Sequence, residues 1–188
     1  MSRIKHPMKN FILAGLVAIP NFLYAQISHD SLWAPMRYFI GSWTGTGEGE
    51  MGTGQYDRTY QWALNGNFIQ VRNKAAYAPQ AKNPQGEIHE DIGYINYNSM
   101  EKKFMLRQFH VEGFVNEYKL ESVSTDGKTF SFLSFEIENI PAGWRARETY
   151  IIVNENEYVE TFELAAPGKD FTLYSKATMK RRKPRYHG

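Results

Sequence analysis

At 188 residues, with 42% hydrophobic and 15% aromatic content, the chain is long enough for one domain with a full core and gives no sign of two. Its 22 basic and 20 acidic residues are unevenly placed: taking Arg3, Lys5 and Lys9 away with an N-terminal leader leaves 19 basic residues, five of them in the tail Lys180-Arg181-Arg182-Lys183-Pro184-Arg185. The body is therefore acidic, which excludes a nucleic-acid partner needing a basic folded surface, and the lack of cysteine excludes disulfides, thiolate chemistry and a lipid-anchored cysteine.

The N-terminus has its own composition. Met8-Lys9-Asn10 supplies a basic start, Phe11 to Ile19 an apolar run of nine, Pro20 a break and Ala25 a small residue before Gln26. That order predicts a secretory signal peptide over 1–25 and a protein exported to the periplasm or secreted. Nine apolar residues are too few for a transmembrane segment, which needs about 20. Over 26–40, Leu32, Trp33, Met36, Phe39 and Ile40 fall at helical spacing behind a cap at Asp30 or Ser31, so a short helix is expected to lead into the domain.

Gly41-Ser42-Trp43-Thr44-Gly45-Thr46-Gly47-Glu48-Gly49 then opens a barrel domain over 41–182, followed by a basic tail at 183–188. Trp43 leads a strand whose alternate residues are glycine, as expected where another backbone approaches closely at the corner of a small closed barrel. Trp43 is expected to plug a closed barrel end against the lead-in helix. Beyond it the period is two. Tyr56, Arg58, Tyr60 and Trp62 alternate with polar residues up to the hairpin signal Asn65-Gly66, and Phe68 to Tyr77 returns. Ala78 to Gly86 forms the longest loop, a rim or lid. Strands follow at Ile88–Tyr97, Phe104–Val111, Val115–Val123, Thr129–Ile137, Trp144–Val153, Tyr158–Ala165 and Phe171–Met179, separated by turn residues. About ten short strands with no helical pattern between them predict an all-β, antiparallel up-and-down β-barrel, closed so that no edge is exposed.

Alternation also sets the faces. Trp144, Ala146, Glu148, Tyr150 and Ile152 share one, as do Tyr158, Glu160, Phe162 and Leu164 on the next strand. If the aromatic faces point inward they carry Arg58, Glu148 and Glu160 with them, and buried charges must be paired. Arg58 is expected to pair with Glu148 or Glu160 on a partly polar cavity floor. The aromatics Tyr56, Tyr60, Trp62, Tyr94, Phe109, Trp144, Tyr150, Tyr158 and Phe162 supply the core, some of them the cavity lining. His110, at the turn into Glu112-Gly113, stands at a rim where a pocket opens. His89 and Asp91 lie two apart on one strand face, which suits a hydrogen bond or a metal or general-base pair. The candidate ligand-binding set is therefore Tyr56, Arg58, Tyr60, Trp62, His110, Glu148, Tyr150 and Glu160, with no catalytic or metal residue assigned. No nucleophile elbow and no phosphate loop is visible.

Three ordered segments carry a resemblance: Gly41 to Gly49 as G-x-W-x-G-x-G-x-G, His89-Glu90-Asp91-Ile92-Gly93-Tyr94, and His110 to Glu117. They resemble the nitrobindin-like, haem-binding β-barrel family of the calycin (lipocalin-like) superfamily, over roughly residues 32–182. The resemblance implies a lipocalin-like barrel and, in members that bind haem, a proximal His on the last strand. Here Tyr174 stands in that place, on a face read as outward, and tyrosine ligates iron only as a phenolate. The expectation is thus a non-catalytic carrier or sensor of a small hydrophobic or amphipathic molecule. The alternative the resemblance implies is a haem protein acting on NO or peroxynitrite with an altered axial ligand. A homodimer is compatible with either.

Overall fold

The computed structural model describes residues 29–183. The expected signal peptide, the start of the lead-in segment and the tail beyond Lys183 lie outside the described residues. One helix, α1 (His29–Arg37), precedes ten strands: β1 (Gly41–Gly49), β2 (Gly52–Ala63), β3 (Phe68–Tyr77), β4 (Glu87–Asn98), β5 (Lys103–His110), β6 (Val115–Val123), β7 (Thr129–Glu138), β8 (Arg145–Asn154), β9 (Glu157–Ala165) and β10 (Thr172–Arg181). Each strand pairs antiparallel with the next and β1 pairs with β10, so the sheet is a closed up-and-down barrel, as the alternation and turn spacing predict. Among the described residues no helix is long and apolar enough to cross a membrane.

The glycines of β1 serve the closing seam. A Cβ on Gly45 would come 2.1 Å from the carbonyl oxygen of Thr178, and one on Gly49 2.2 Å from that of Tyr174. Any side chain there would push the first and last strands apart, so the close approach of two backbones, and not turn geometry, is what demands glycine.

One end of the barrel is shut. Trp33 and Met36 of α1 are buried with Phe39 and Trp43. Trp43 donates its indole N–H to the carbonyl of Phe39 at 2.7 Å and meets Tyr158 edge-on with ring centroids 4.8 Å apart. The guanidinium of Arg181 lies 4.1 Å from the Trp43 ring centre and donates to the carbonyls of Tyr38 and Ile40 at 2.7 and 2.8 Å. One cation of the last strand thus ties the helix-to-barrel connection to the wall while capping an aromatic face.

Four residues sit differently from their expected places. Trp62 is 36% exposed and packs edge-on to Trp33, ring centroids 5.2 Å apart, because at its height the inward face of β2 is covered by α1 and no cavity remains to line. Tyr94 and Phe109 point outward: β4 turns Asp91 and Ile95 inward and β5 turns Leu106 and Gln108 inward, and in period-two structure the residues between them must face away. Tyr174, read as outward, borders the interior. Pairing of β9 with β10 slips between Leu173 and Ser175, and that irregularity breaks the alternation on which the outward assignment rested.

Candidate functional site

At the end away from α1 the barrel holds a cavity of about 650 Å³. Ala75, Ile137, Phe162 and Leu164 give it apolar walls, and Met51 and Trp144 are among the side chains at its mouth. Its floor is ionic. Arg58 reaches across the barrel to Glu160 with both terminal nitrogens, Nη1 to Oε2 and Nη2 to Oε1, the latter at 3.1 Å. The same guanidinium donates from Nε and Nη2 to Asn73 Oδ1, each at 3.1 Å, on the strand paired with its own. Burial is the largest influence on Arg58 and works against its charge, but the Glu160 carboxylate and, less strongly, Tyr60, Tyr158 and Tyr150 together outweigh it and keep the guanidinium protonated.

Glu148 takes no part in that fork. It accepts from the Tyr150 hydroxyl and lies buried on the adjacent strand. Burial, reinforced by the charge of Glu160, pushes its carboxyl up to about 7, so the floor carries a carboxyl poised between neutral and charged near physiological pH. Tyr60 and Tyr150 lie below the cavity, between its floor and Phe39. Burial pushes Tyr60 up to about 12. Of the expected site residues, then, Tyr56, Arg58, His110, Glu148 and Glu160 line the cavity, Tyr60 and Tyr150 support it from beneath, and Trp62 is elsewhere.

Toward the mouth stands a second polar group. Strand pairing sets Asp91 directly opposite His110, and His89 is two residues from Asp91 on the same face. His89 Nδ1 is 2.7 Å from Glu112 Oε1, and His89 Nε2 is 3.3 Å from His110 Nδ1 and 3.7 Å from Asp91 Oδ2. Asp91 is the largest influence raising His89, to about 9; at 3.7 Å it acts as a charge, and the hydrogen bond proper is to Glu112. His110, stacked on Phe114 with centroids 4.1 Å apart, is driven down by burial to about 4. Asn116 donates from Nδ2 to the Tyr118 hydroxyl at 2.8 Å, and the same amide nitrogen lies 3.3 Å from His110 Nε2.

Three buried acceptors in the cavity wall, Asp91 Oδ1, Gln108 Oε1 and Asn116 Oδ1, have no hydrogen-bond partner among the described residues. The Asp91 carboxyl is nevertheless held below the usual range: burial opposes this, and the neighbouring His89 and the Arg58 charge outweigh it. Gln108 and Asn116 were not singled out from sequence. Gln108 could have been, because it lies two residues before His110 on the same strand face.

The residues do not fit a haem held in the manner the resemblance implies. Tyr174 borders the cavity mouth, but burial and then the carboxylate of Glu87 raise its phenol, against the phenolate that iron would need.

No protein-family model matches the chain, and no curated protein matches it. Among solved structures it is similar to the crystal structure of Rv2717c from M. tuberculosis, at TM-score 0.58 and 13% sequence identity over 81% of this chain and 98% of that one. It also overlays a de novo designed fluorescence-activating β-barrel at TM-score 0.41 and 13% identity, over 78% of this chain and 95% of the design. The likeness to Rv2717c establishes the β-barrel fold, one compatible with ligand binding, and nothing narrower.

Proposed function

We propose that the chain is an exported carrier or sensor that takes a small amphipathic molecule into the barrel. One observation supports this reading above the others: an apolar-walled cavity of about 650 Å³ with buried acceptors at Asp91 and Gln108 that none of the described residues satisfies. The volume lies in the range of small-molecule sites, roughly 300–1,000 Å³. A buried acceptor left without a donor costs about 1–3 kcal/mol, and an occupant bearing a hydroxyl or amine would offset that cost. Its apolar body would lie along Ile137, Phe162 and Leu164, with the donor end toward Asp91 and Gln108. Arg58 is already committed to Glu160, so the floor offers no free cation for an acidic head group.

Native mass spectrometry of protein purified from its own host should reveal a bound small molecule, released on denaturation, that competes with an environment-sensitive apolar fluorophore. A protein that carries nothing and binds no such fluorophore would end the carrier reading. Export is tested separately, by fractionation with N-terminal sequencing. The mature chain should begin at or near Gln26, and an intact N-terminus in the cytosolic fraction would remove the signal peptide.

A further inference from the structure

We infer that His89, His110 and Glu112 form a binding site for one divalent transition-metal ion of the zinc class at the mouth of the cavity. The three residues each offer a donor atom, and those atoms lie within 4.8 Å of one another. Two imidazoles and a carboxylate are the donor set that zinc and its neighbours accept. The imidazole spacing is already suitable: His89 Nε2 and His110 Nδ1 are 3.3 Å apart, and ligands on a tetrahedral ion with bonds of about 2.0–2.1 Å stand about 3.3 Å from each other.

The fold fixes two of the three. His110 ends β5 opposite Asp91, its ring held flat against Phe114, and His89 sits on the neighbouring strand. Glu112, on the exposed turn that follows, lies 2.7 Å from His89 Nδ1 and supplies the third donor of the group. An independent observation points to a positive occupant at this place. Asp91 is 6% exposed, its Oδ1 has no partner, and its Oδ2 is 3.7 Å from His89 Nε2. With Glu112 it supplies two negative charges against the two positive charges of the ion. Three protein ligands leave a coordination position, and all three ligands line the cavity, so a metal here would face whatever the cavity holds. The site does not depend on the carrier reading, because the ion binds protein atoms alone.

The test is a titration of the metal-stripped full chain with Zn²⁺ in competition with a chromophoric chelator, and with Co²⁺ followed by its visible absorption. About one equivalent should bind, and Co²⁺ should develop the intense bands of low coordination number. His110→Ala and Glu112→Gln should each weaken binding about tenfold or more, and Asp91→Asn should weaken it about tenfold through the lost charge. Glu112 lies on an exposed turn, so its variant keeps the fold and the test survives if His110→Ala does not. His29→Ala, at the far end of the barrel, should change nothing. Binding that survives both Glu112→Gln and His110→Ala, or that is lost in His29→Ala, would overturn the site, as would no binding at all.

Discussion

Arg58 and Glu160, on strands β2 and β9, face each other across the interior as a two-pronged ion pair, both less than a tenth exposed. Charges so placed are costly when unpaired. Removing one partner leaves the other buried without compensation, whereas removing both leaves neutral groups. Arg58→Met or Glu160→Gln alone should therefore cost about 3–5 kcal/mol in denaturant unfolding, and the double variant less than the sum, with a coupling of about 1–3 kcal/mol. The same cycle run with Glu148→Gln should give a smaller coupling, since Glu148 bonds Tyr150. Strict additivity between Arg58 and Glu160 would contradict the fork.

Trp43 fills the closed end with no exposed surface, held by Phe39, Tyr158 and Arg181. Trp43→Ala should cost about 3–5 kcal/mol, the usual range for emptying a large aromatic site. A measured loss under about 1 kcal/mol would mean that the end closes without it.

The pH dependence of stability should carry the mark of Glu148. Its carboxyl titrates near 7 in the folded protein and near 4.5 when exposed, so between those values the native state holds more protons than the unfolded one. Stability therefore falls as pH rises through that window, and the full penalty, on the order of 1–3 kcal/mol, is present above it. Glu148→Gln should be close to neutral at pH 5 and stabilising at pH 8. The difference between variant and wild type, measured across the window, isolates this group from the histidines; a difference that stays flat would place no titration at Glu148.

Gln108 presents an opposite balance of stability and binding. Its buried oxygen lacks a donor, so Gln108→Met should leave stability unchanged or raise it by about 1 kcal/mol. The same change should weaken binding of a hydroxyl- or amine-bearing occupant relative to a purely apolar fluorophore. Equal affinity for both kinds of molecule in wild type and variant would remove Gln108 from the recognition surface.

Much of this architecture was legible in the chain. Alternation through Tyr56, Arg58 and Tyr60, and through Ala146, Glu148 and Tyr150, is enough to put charges on the inward face of a barrel, because period two leaves a residue only two faces to choose from. Alternation cannot choose between Glu148 and Glu160 as the partner of Arg58. That depends on how far apart β2 and β9 stand around a closed sheet, and closure is a property of all ten strands together. Tyr174 was misplaced because it lies within the one pairing slip of its strand, so the alternation of Lys176 and Thr178 does not extend back to it, and Trp62 because a strand's pattern does not say where the barrel ends and the helix begins. Asn116 carries no spacing signal as a single amide in a strand, and Gln108 has only its place two residues before His110; burial is what marks both.

The seam between β1 and β10 has a consequence for how the molecule is made. Trp43 pairs with Arg181 and Gly49 with Ser175, contacts that join the two ends of the described chain. Such contacts give the fold a high contact order, and their loop-closure entropy must be met before they stabilise anything. Until the last strand is available, any sheet built from β1 and its neighbours has an unpaired, glycine-rich first edge. Folding should therefore complete late and slowly, with the last strand acting as a latch. A chain carried across a membrane before folding would gain from that delay, since its own topology keeps it unfinished, and therefore threadable, until its C-terminus is free.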